Sequence, residues 1–174
     1  TLFRSVDEDE MWNGLKEALD GACVQFVKAR ETEGEKLRDD LTGKLDAMKA
    51  LVEKIEERSP QILSEYRANL EEKVRELLAD TQIEESRIAA EVVIFADKIC
   101  TDEELVRLKS HIDHMRATLL TGEGIGRKLD FIAQEMNREA NTILSKANDL
   151  TVSNYGIDLK TEIEKVREQI QNIE

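Results

Sequence analysis

The stretch Leu37-Arg-Asp-Asp-Leu41-Thr-Gly-Lys-Leu45-Asp-Ala-Met48-Lys-Ala-Leu-Val52-Glu-Lys-Ile55 decides the fold class. Leu37, Leu41, Leu45, Met48, Val52 and Ile55 step by four, four, three, four and three, which is one apolar stripe at helical spacing. An earlier stripe runs through Met11, Leu15, Ala18, Ala22 and Phe26, and the segment from Lys28 to Lys36 between them is almost wholly polar. From Asp7 to about Arg58 only isolated glycines oppose a helix. A continuous helix of that length would be roughly 75 Å long at ~1.5 Å per residue, and is expected to project as an arm. Ser59-Pro60 is the first break: serine can cap, and proline suits a first helical position. Ile62, Tyr66, Leu70, Val74 and Leu77 form the next stripe. The tight turn predicts an antiparallel helical hairpin over residues 1–80.

The rest of the chain also reads as helices. Asp80 to Glu85 is a polar break. Ser86 to Ile99 follows as a more buried helix, with Ile88, Val92, Phe95 and Ile99 on one stripe and Val93 and Ile94 widening it. The β-branched run Val92-Val93-Ile94 has no partner strand nearby. Thr101 followed by Glu104 is a capping-box pattern. It opens a helix to about Thr118, with Leu105, Leu108, Ile112, Met115 and Leu119 facing a core. Thr121 to Gly126 is the one glycine-rich loop; it lacks the lysine and serine of a phosphate loop and reads as a helix connection. A helix from about Arg127 to Ala147, a linker over Asn148 to Ser153 and a last helix from about Asn154 complete a compact bundle over residues 81–174. The expected fold is all-α: a long hairpin plus a bundle.

Composition excludes several alternatives. One proline and 4% aromatics in 174 residues argue against β-sandwiches and barrels, which need many turns and bulky strand residues. The 40% apolar content argues against full disorder. No apolar run approaches the roughly 18–20 residues that span a bilayer. The N-terminus is acidic (Asp7, Glu8, Asp9, Glu10), unlike a signal peptide. The chain begins at Thr1 rather than Met, as a fragment or a processed product would. Cys23 and Cys100 form no CxxC and read as reduced, buried thiols of a cytoplasmic protein.

The net charge of −13 at first disfavours a phosphate-rich partner. Its distribution changes that. Residues 1–104 hold 15 Lys/Arg against 27 Asp/Glu, net −12; residues 105–174 hold 10 against 11, net −1, with both histidines. Acidity belongs to the front of the chain.

Three helices carry a second, polar stripe. Glu104, Arg107, His111 and His114 step by three, four and three. Glu135, Arg138, Glu139, Thr142 and Lys146 share a face of the next helix, beside Asn137 and Asn141. Arg87, Glu91 and Lys98 share another, and Glu91 sits in an apolar run where a carboxylate must be paired, hydrogen-bonded or metal-bound. If these helices pack together, Glu91, Glu104, Glu135, Glu139 and His111 converge. Such a set suits a divalent cation, Mn²⁺ or Mg²⁺, that activates water at a phosphorus centre. Arg107, Arg138 and Lys146 would hold phosphates, with Arg127 and Lys128 on flanking ones. Spacing alone favours solvated ion pairs over a shared site. His111-x-x-His114 has no further soft ligand nearby, so zinc is not expected.

Long motifs of the back half resemble the YicC-like family of bacterial proteins. They are Glu103-Glu-Leu-Val-Arg-Leu-Lys-Ser-His111, the run from Gly126-Arg-Lys-Leu-Asp-Phe-Ile-Ala-Gln-Glu-Met-Asn-Arg-Glu-Ala-Asn to Asp149, and the ending Glu164-Lys-Val-Arg-Glu-Gln-Ile-Gln-Asn-Ile-Glu174. Arg30-Glu-Thr-Glu-Gly34 and Arg87-Ile-Ala-Ala-Glu91 match as well, so the resemblance covers nearly the whole chain. It implies a stress-associated, metal-dependent endoribonuclease acting on RNA, with no DNA or membrane partner expected, in oligomers, as rings of six, that enclose RNA. It also implies an N-terminal α/β domain, about as large as this chain, ahead of the helical part. The family pattern falls on Arg87, Glu91, Glu104, Arg107, His111, Arg127, Asp130, Glu135, Arg138, Glu139, Asn141 and Lys146, largely the polar-stripe residues.

The expected roles are then these. Glu91, Glu104, Glu135 and Glu139 hold the metal; His111, Glu135, Glu139 and Arg138 are catalytic, His111 as general acid or base. Arg87, Arg107, Arg127, Lys128, Asn141 and Lys146 bind RNA. The competing expectation is a coiled-coil-like oligomerisation module without activity of its own.

Overall fold

A computed structural model of the chain describes residues 7–78, 84–122 and 124–173. The described residues form five α-helices and no strand: α1 (Glu8–Leu78), α2 (Glu85–Ile99), α3 (Asp102–Thr118), α4 (Gly126–Lys146) and α5 (Leu150–Ile170). The all-α expectation holds. The chain divides into two compact units, Thr1–Asp40 and Leu41–Glu174.

In the first unit, α1 is opened by Asp7, whose Oδ1 accepts from the backbone N of Asp9 at 3.0 Å. Glu8, Asp9 and Glu10 place negative charge where the helix dipole favours it. Along residues 8–40 only Leu37 is even partly buried; Met11, Trp12, Leu15, Leu19 and Phe26 are all exposed.

The second unit holds the core. Leu41, Leu45, Met48, Val52 and Ile55 of α1 are buried, as the stripe predicts. They join Leu105, Leu108, Ile112 and Met115 of α3, Leu129, Ile132, Met136 and Ile143 of α4, and Leu159, Ile163, Val166 and Ile170 of α5. Each buried aliphatic chain of this size contributes about 1.5–3 kcal/mol. Helix α4 packs against both α3 and α5. A Cβ on Gly156 of α5 would lie 2.6 Å from Leu144 Cδ2, so glycine permits the close α4–α5 approach.

The expected hairpin turn at Ser59-Pro60 does not form: α1 runs through Pro60. An internal proline normally costs about 3 kcal/mol, because it removes one helical hydrogen bond and crowds the preceding turn. Side chains around it add bonds to the carbonyls on either side of the Glu56 carbonyl, which Pro60 leaves without its N–H donor. Ser59 Oγ donates to the Ile55 carbonyl at 2.9 Å, and Gln61 Nε2 to the Glu57 carbonyl at 3.2 Å. Arg58 spans the proline to reach Glu65 at 2.6 Å, and also binds Asp149 Oδ2 at 2.9 Å. A long-range ion pair thus holds the helix on a course that proline opposes.

Two further expectations change. The expected linker from Asn148 to Ser153 is shorter, because Asp149 accepts from Val152 N at 3.0 Å and starts α5 at Leu150. Helix α2 is less buried than its apolar run suggests: Phe95 alone is fully buried, stacked on Tyr66 with ring centroids 3.7 Å apart, while Val93 and Ile94 face water. Both cysteines are free and exposed rather than buried. The expected break from Asp80 to Glu85 falls mostly outside the described residues.

Leu45→Ala and Leu108→Ala should each destabilise the fold by about 2–5 kcal/mol, the range for a buried leucine that leaves a cavity. Urea melts followed by circular dichroism measure this, with Val106→Ala on the exposed side of α3 expected to stay within about 0.5 kcal/mol of the parent.

Candidate functional site

The polar stripes of α3 and α4 meet along the seam between the two helices. Glu104 and Glu139 are each only 6% exposed, the two buried acidic residues among the described ones. Arg107 Nε donates to Glu139 Oε1 at 2.9 Å. Arg107 also lies 3.3 Å from Glu104 Oε1 and 3.1 Å from Glu103 Oε2. Lys146, from the last turn of α4, donates to Glu104 Oε1 at 2.9 Å. It also donates to the Cys100 carbonyl at the end of α2, at 2.9 Å. A cation at the negative end of a helix dipole is favourable. Lys146 therefore joins the end of α2 and the start of α3 to α4.

This arrangement replaces the expected capping box. Thr101 is the residue before α3, but its side chain makes no cap bond. Glu104 turns to Lys146 and Arg107, where two full positive charges stand in place of the single backbone N–H of the capping box. Burial works to raise the pKa of Glu104, but the Lys146 hydrogen bond, its own backbone N–H, and the charges of Lys146 and Arg107 outweigh it and hold the carboxyl below its usual value. The Glu139 hydrogen bond holds the Arg107 guanidinium above its usual value. Glu104 Oε2 is shut off from solvent and has no hydrogen-bond partner.

The other expected site residues are spread more widely. Glu135 pairs with Arg138 one turn away on α4, at 3.1 Å. His111 is half-buried one turn beyond Arg107 on α3, and His114 is exposed. Asn141, Arg127 and Lys128 are exposed on α4, and Asp130 holds Gln134 Nε2 at 2.7 Å. Arg87 and Glu91 are exposed on α2. The reading of Glu91 as a carboxylate trapped among apolar neighbours is therefore corrected: α2 turns it to water, where a carboxylate needs no partner. The expected convergence of Glu91, Glu104, Glu135, Glu139 and His111 reduces to Glu104 and Glu139 bridged by Arg107.

The donor set does not fit a divalent ion within this one chain. Among the described residues no three His, Cys, Asp or Glu side chains come together as ligands. The two acids that do converge are already neutralised by Arg107 and Lys146.

Sequence reasoning missed the cross-links that seat the bundle on α1. Lys109 binds Glu56 at 2.6 Å, Arg116 binds Asp46, and Arg58 joins Asp149 to Glu65. Apart from Arg58–Glu65, two turns apart within α1, these pairs join residues 53 to 91 positions apart or on different helices, so no local pattern marks them.

Acid pH should weaken the fold in a specific way. Asp149, held below its usual value chiefly by the Arg58 hydrogen bond, and Glu104 both have lowered folded-state pKa values. Their contributions are complete above the ordinary carboxylate values of 3.8 and 4.5 and are lost as the pH falls through the folded values. Asp149→Asn and Glu104→Gln should therefore lower the Tm at pH 7, with the gap to the parent closing toward pH 3. A gap that stays constant across a calorimetric pH series refutes the assignment.

Residues 55–174 match the family model described as "Endoribonuclease YicC-like, C-terminal". A protein of Clostridioides difficile (strain 630) named "Probable endoribonuclease YicC" is 45% identical over 169 residues, which is 97% of this chain and 58% of that protein. A protein of Haemophilus influenzae (strain ATCC 51907 / DSM 11121 / KW20 / Rd) with the same name is 35% identical over 168 residues, again 97% of this chain and 58% of the relative. The chain thus spans less than two thirds of the length of these relatives. With its model match and these identities, the chain belongs to the YicC-like endoribonuclease family, in that family's C-terminal region.

Proposed function

We propose that this chain is the working C-terminal part of an endoribonuclease that cleaves RNA phosphodiester bonds at the α3–α4 seam. The observation that carries the reading is its 45% identity to a relative named a probable endoribonuclease, over 97% of the chain. The seam supplies chemistry that suits it. Arg107 and Lys146 place two cations beside buried carboxylates, and a guanidinium fork matches phosphate oxygens. A phosphate arriving at the half-exposed Arg107 would compete with Glu103 and Glu104 for its Nη groups. Glu139, buried against the Arg107 Nε, keeps the fork oriented. His111, one turn along α3, is the group to exchange a proton with the attacking or leaving oxygen. Arg138 with Glu135, and Asn141, extend the contact surface along α4. Arg127, Lys128 and Arg87 would meet more distant phosphates.

A requirement for Mn²⁺ or Mg²⁺ comes from the family resemblance and not from this geometry, so no step is routed through a cation. No described helix is long and apolar enough to cross a membrane. A cytoplasmic location is part of the proposal.

Cleavage of a labelled single-stranded RNA by the protein is the test. His111→Ala should slow cleavage about 10²- to 10⁴-fold, the usual effect of removing a general acid or base. Arg107→Ala should slow it as well. Parent rates in both variants, at an unchanged Tm, overturn the site. Repeating the assay in EDTA and then with added Mn²⁺ reads the cation requirement separately.

A second observation favours self-assembly as part of the same function. Met11, Trp12, Leu15, Leu19 and Phe26 share one side of α1 and are all exposed, which is the pattern of a helix awaiting a partner helix. A second copy of the chain is the proposed partner. Light scattering should give a mass above 19.9 kDa, and Leu15→Glu should lower it. A parent that is strictly monomeric at tens of micromolar refutes this.

A further inference from the structure

Phe131 presents an aromatic ring to water. It is 62% exposed, on a helix whose Leu129, Ile132, Met136 and Ile143 are buried. A single exposed ring is ordinary on a protein surface; what distinguishes Phe131 is the polar helix face it shares.

Its helical neighbours define that face. Phe131, Glu135, Arg138, Thr142 and Ser145 step by four, three, four and three, which puts them on one face of α4. Gln134, Asn137, Arg138, Asn141, Thr142 and Ser145 line an open groove of about 500 Å³ on that side of the helix. The lining is three amides, two hydroxyls and one guanidinium; the carboxylates nearby are Glu135, which pairs with Arg138 at 3.1 Å and which a phosphate would displace, and Glu164 against Asn137. Thr142 and Ser145 donate their hydroxyl protons to the carbonyls of Arg138 and Thr142, which leaves the hydroxyl oxygens as acceptors. Asn137 Oδ1 is shut off from solvent and its Nδ2 reaches Glu164 at 3.5 Å, so the outward amides are those of Gln134 and Asn141.

An exposed ring beside paired donors and acceptors and one arginine matches single-stranded nucleic acid. Bases stack on aromatic faces, amides meet base edges, and guanidinium takes phosphate. A second protein copy would call for a continuous apolar patch, and this face offers one ring among polar groups.

We propose that this face of α4 is a single-stranded RNA track in which Phe131 stacks on a base, Gln134 and Asn141 contact base edges, and Arg138 holds a phosphate. From Phe131 to Ser145 the track is about 21 Å long at ~1.5 Å per residue. The proposal rests on the endoribonuclease reading for its choice of RNA. It adds the base-stacking residue and the helix face along which the strand lies.

The test is fluorescence anisotropy with a fluorescein-labelled single-stranded RNA, together with a second oligonucleotide carrying 2-aminopurine. Phe131→Leu keeps the apolar bulk and removes the aromatic face; Phe131→Trp keeps a face. The leucine variant should bind about 5- to 150-fold more weakly, as expected for the loss of one stacked base. The tryptophan variant should bind like the parent. Quenching of 2-aminopurine should accompany binding to the parent and the tryptophan variant only.

Parent affinity in Phe131→Leu, with cleavage intact in the parent, overturns the track and leaves the endoribonuclease reading standing. Phe131-dependent binding without cleavage does the reverse. A leucine variant whose lost binding comes with a fall in mass by light scattering overturns the track in favour of a contact between copies. A parent that binds no single-stranded RNA overturns both.

Discussion

Helix α4 is flanked by α3 on one side and α5 on the other, and that position constrains the rest of the second unit. Its apolar residues Leu129, Ile132, Ala133, Met136, Ala140 and Ile143 cover the arc between its two neighbours. Polar residues on the edge of that arc have nowhere to go but the seams. Glu139 is one, and it is buried against α3, where Arg107 answers it. Asn137 is its counterpart toward α5, where it meets Glu164. Two seams and an outward polar face follow from one helix being held on both sides.

The α3–α4 seam shows how electrostatics and packing bear on each other. Glu104 and Glu139 are buried because the leucines and isoleucines beside them must be. A buried carboxylate is tolerable only with partners. Arg107 and Lys146 provide them, and Lys146 also takes the carbonyl at the end of α2. The same groups that make burial affordable are those that suit phosphate. Phosphate binding at the seam would therefore redistribute ion pairs already in place, with little new charge brought out of water.

Pro60 illustrates the opposite balance. Local sequence rules place a helix boundary there, and they do so for sound reasons. The helix continues because Arg58 ties the turn around the proline to Glu65 and to Asp149, a residue 91 positions away. The same Asp149 caps α5 through Val152 N, so one carboxylate both starts α5 and supports α1.

The sequence by itself determined the helical class, the buried stripe from Leu41 to Ile55, and the polar stripes of α3 and α4 that mark the candidate site. All of these are periodic within one element, and a period of three to four residues is visible without knowing what the helix touches. The spacing of Phe131 with Arg138 and Thr142 is visible in the sequence, but its exposure is visible only in the fold. Tertiary structure decided the remainder: that Pro60 lies inside a helix, that Glu91 faces water, that Glu104 leaves its cap for Lys146, and that two acids meet where four acids and a histidine were expected. Those outcomes depend on groups brought together from separate helices. Charge-assisted bonds between distant residues outweigh local capping and breaking preferences, and nothing in a local window records the partner.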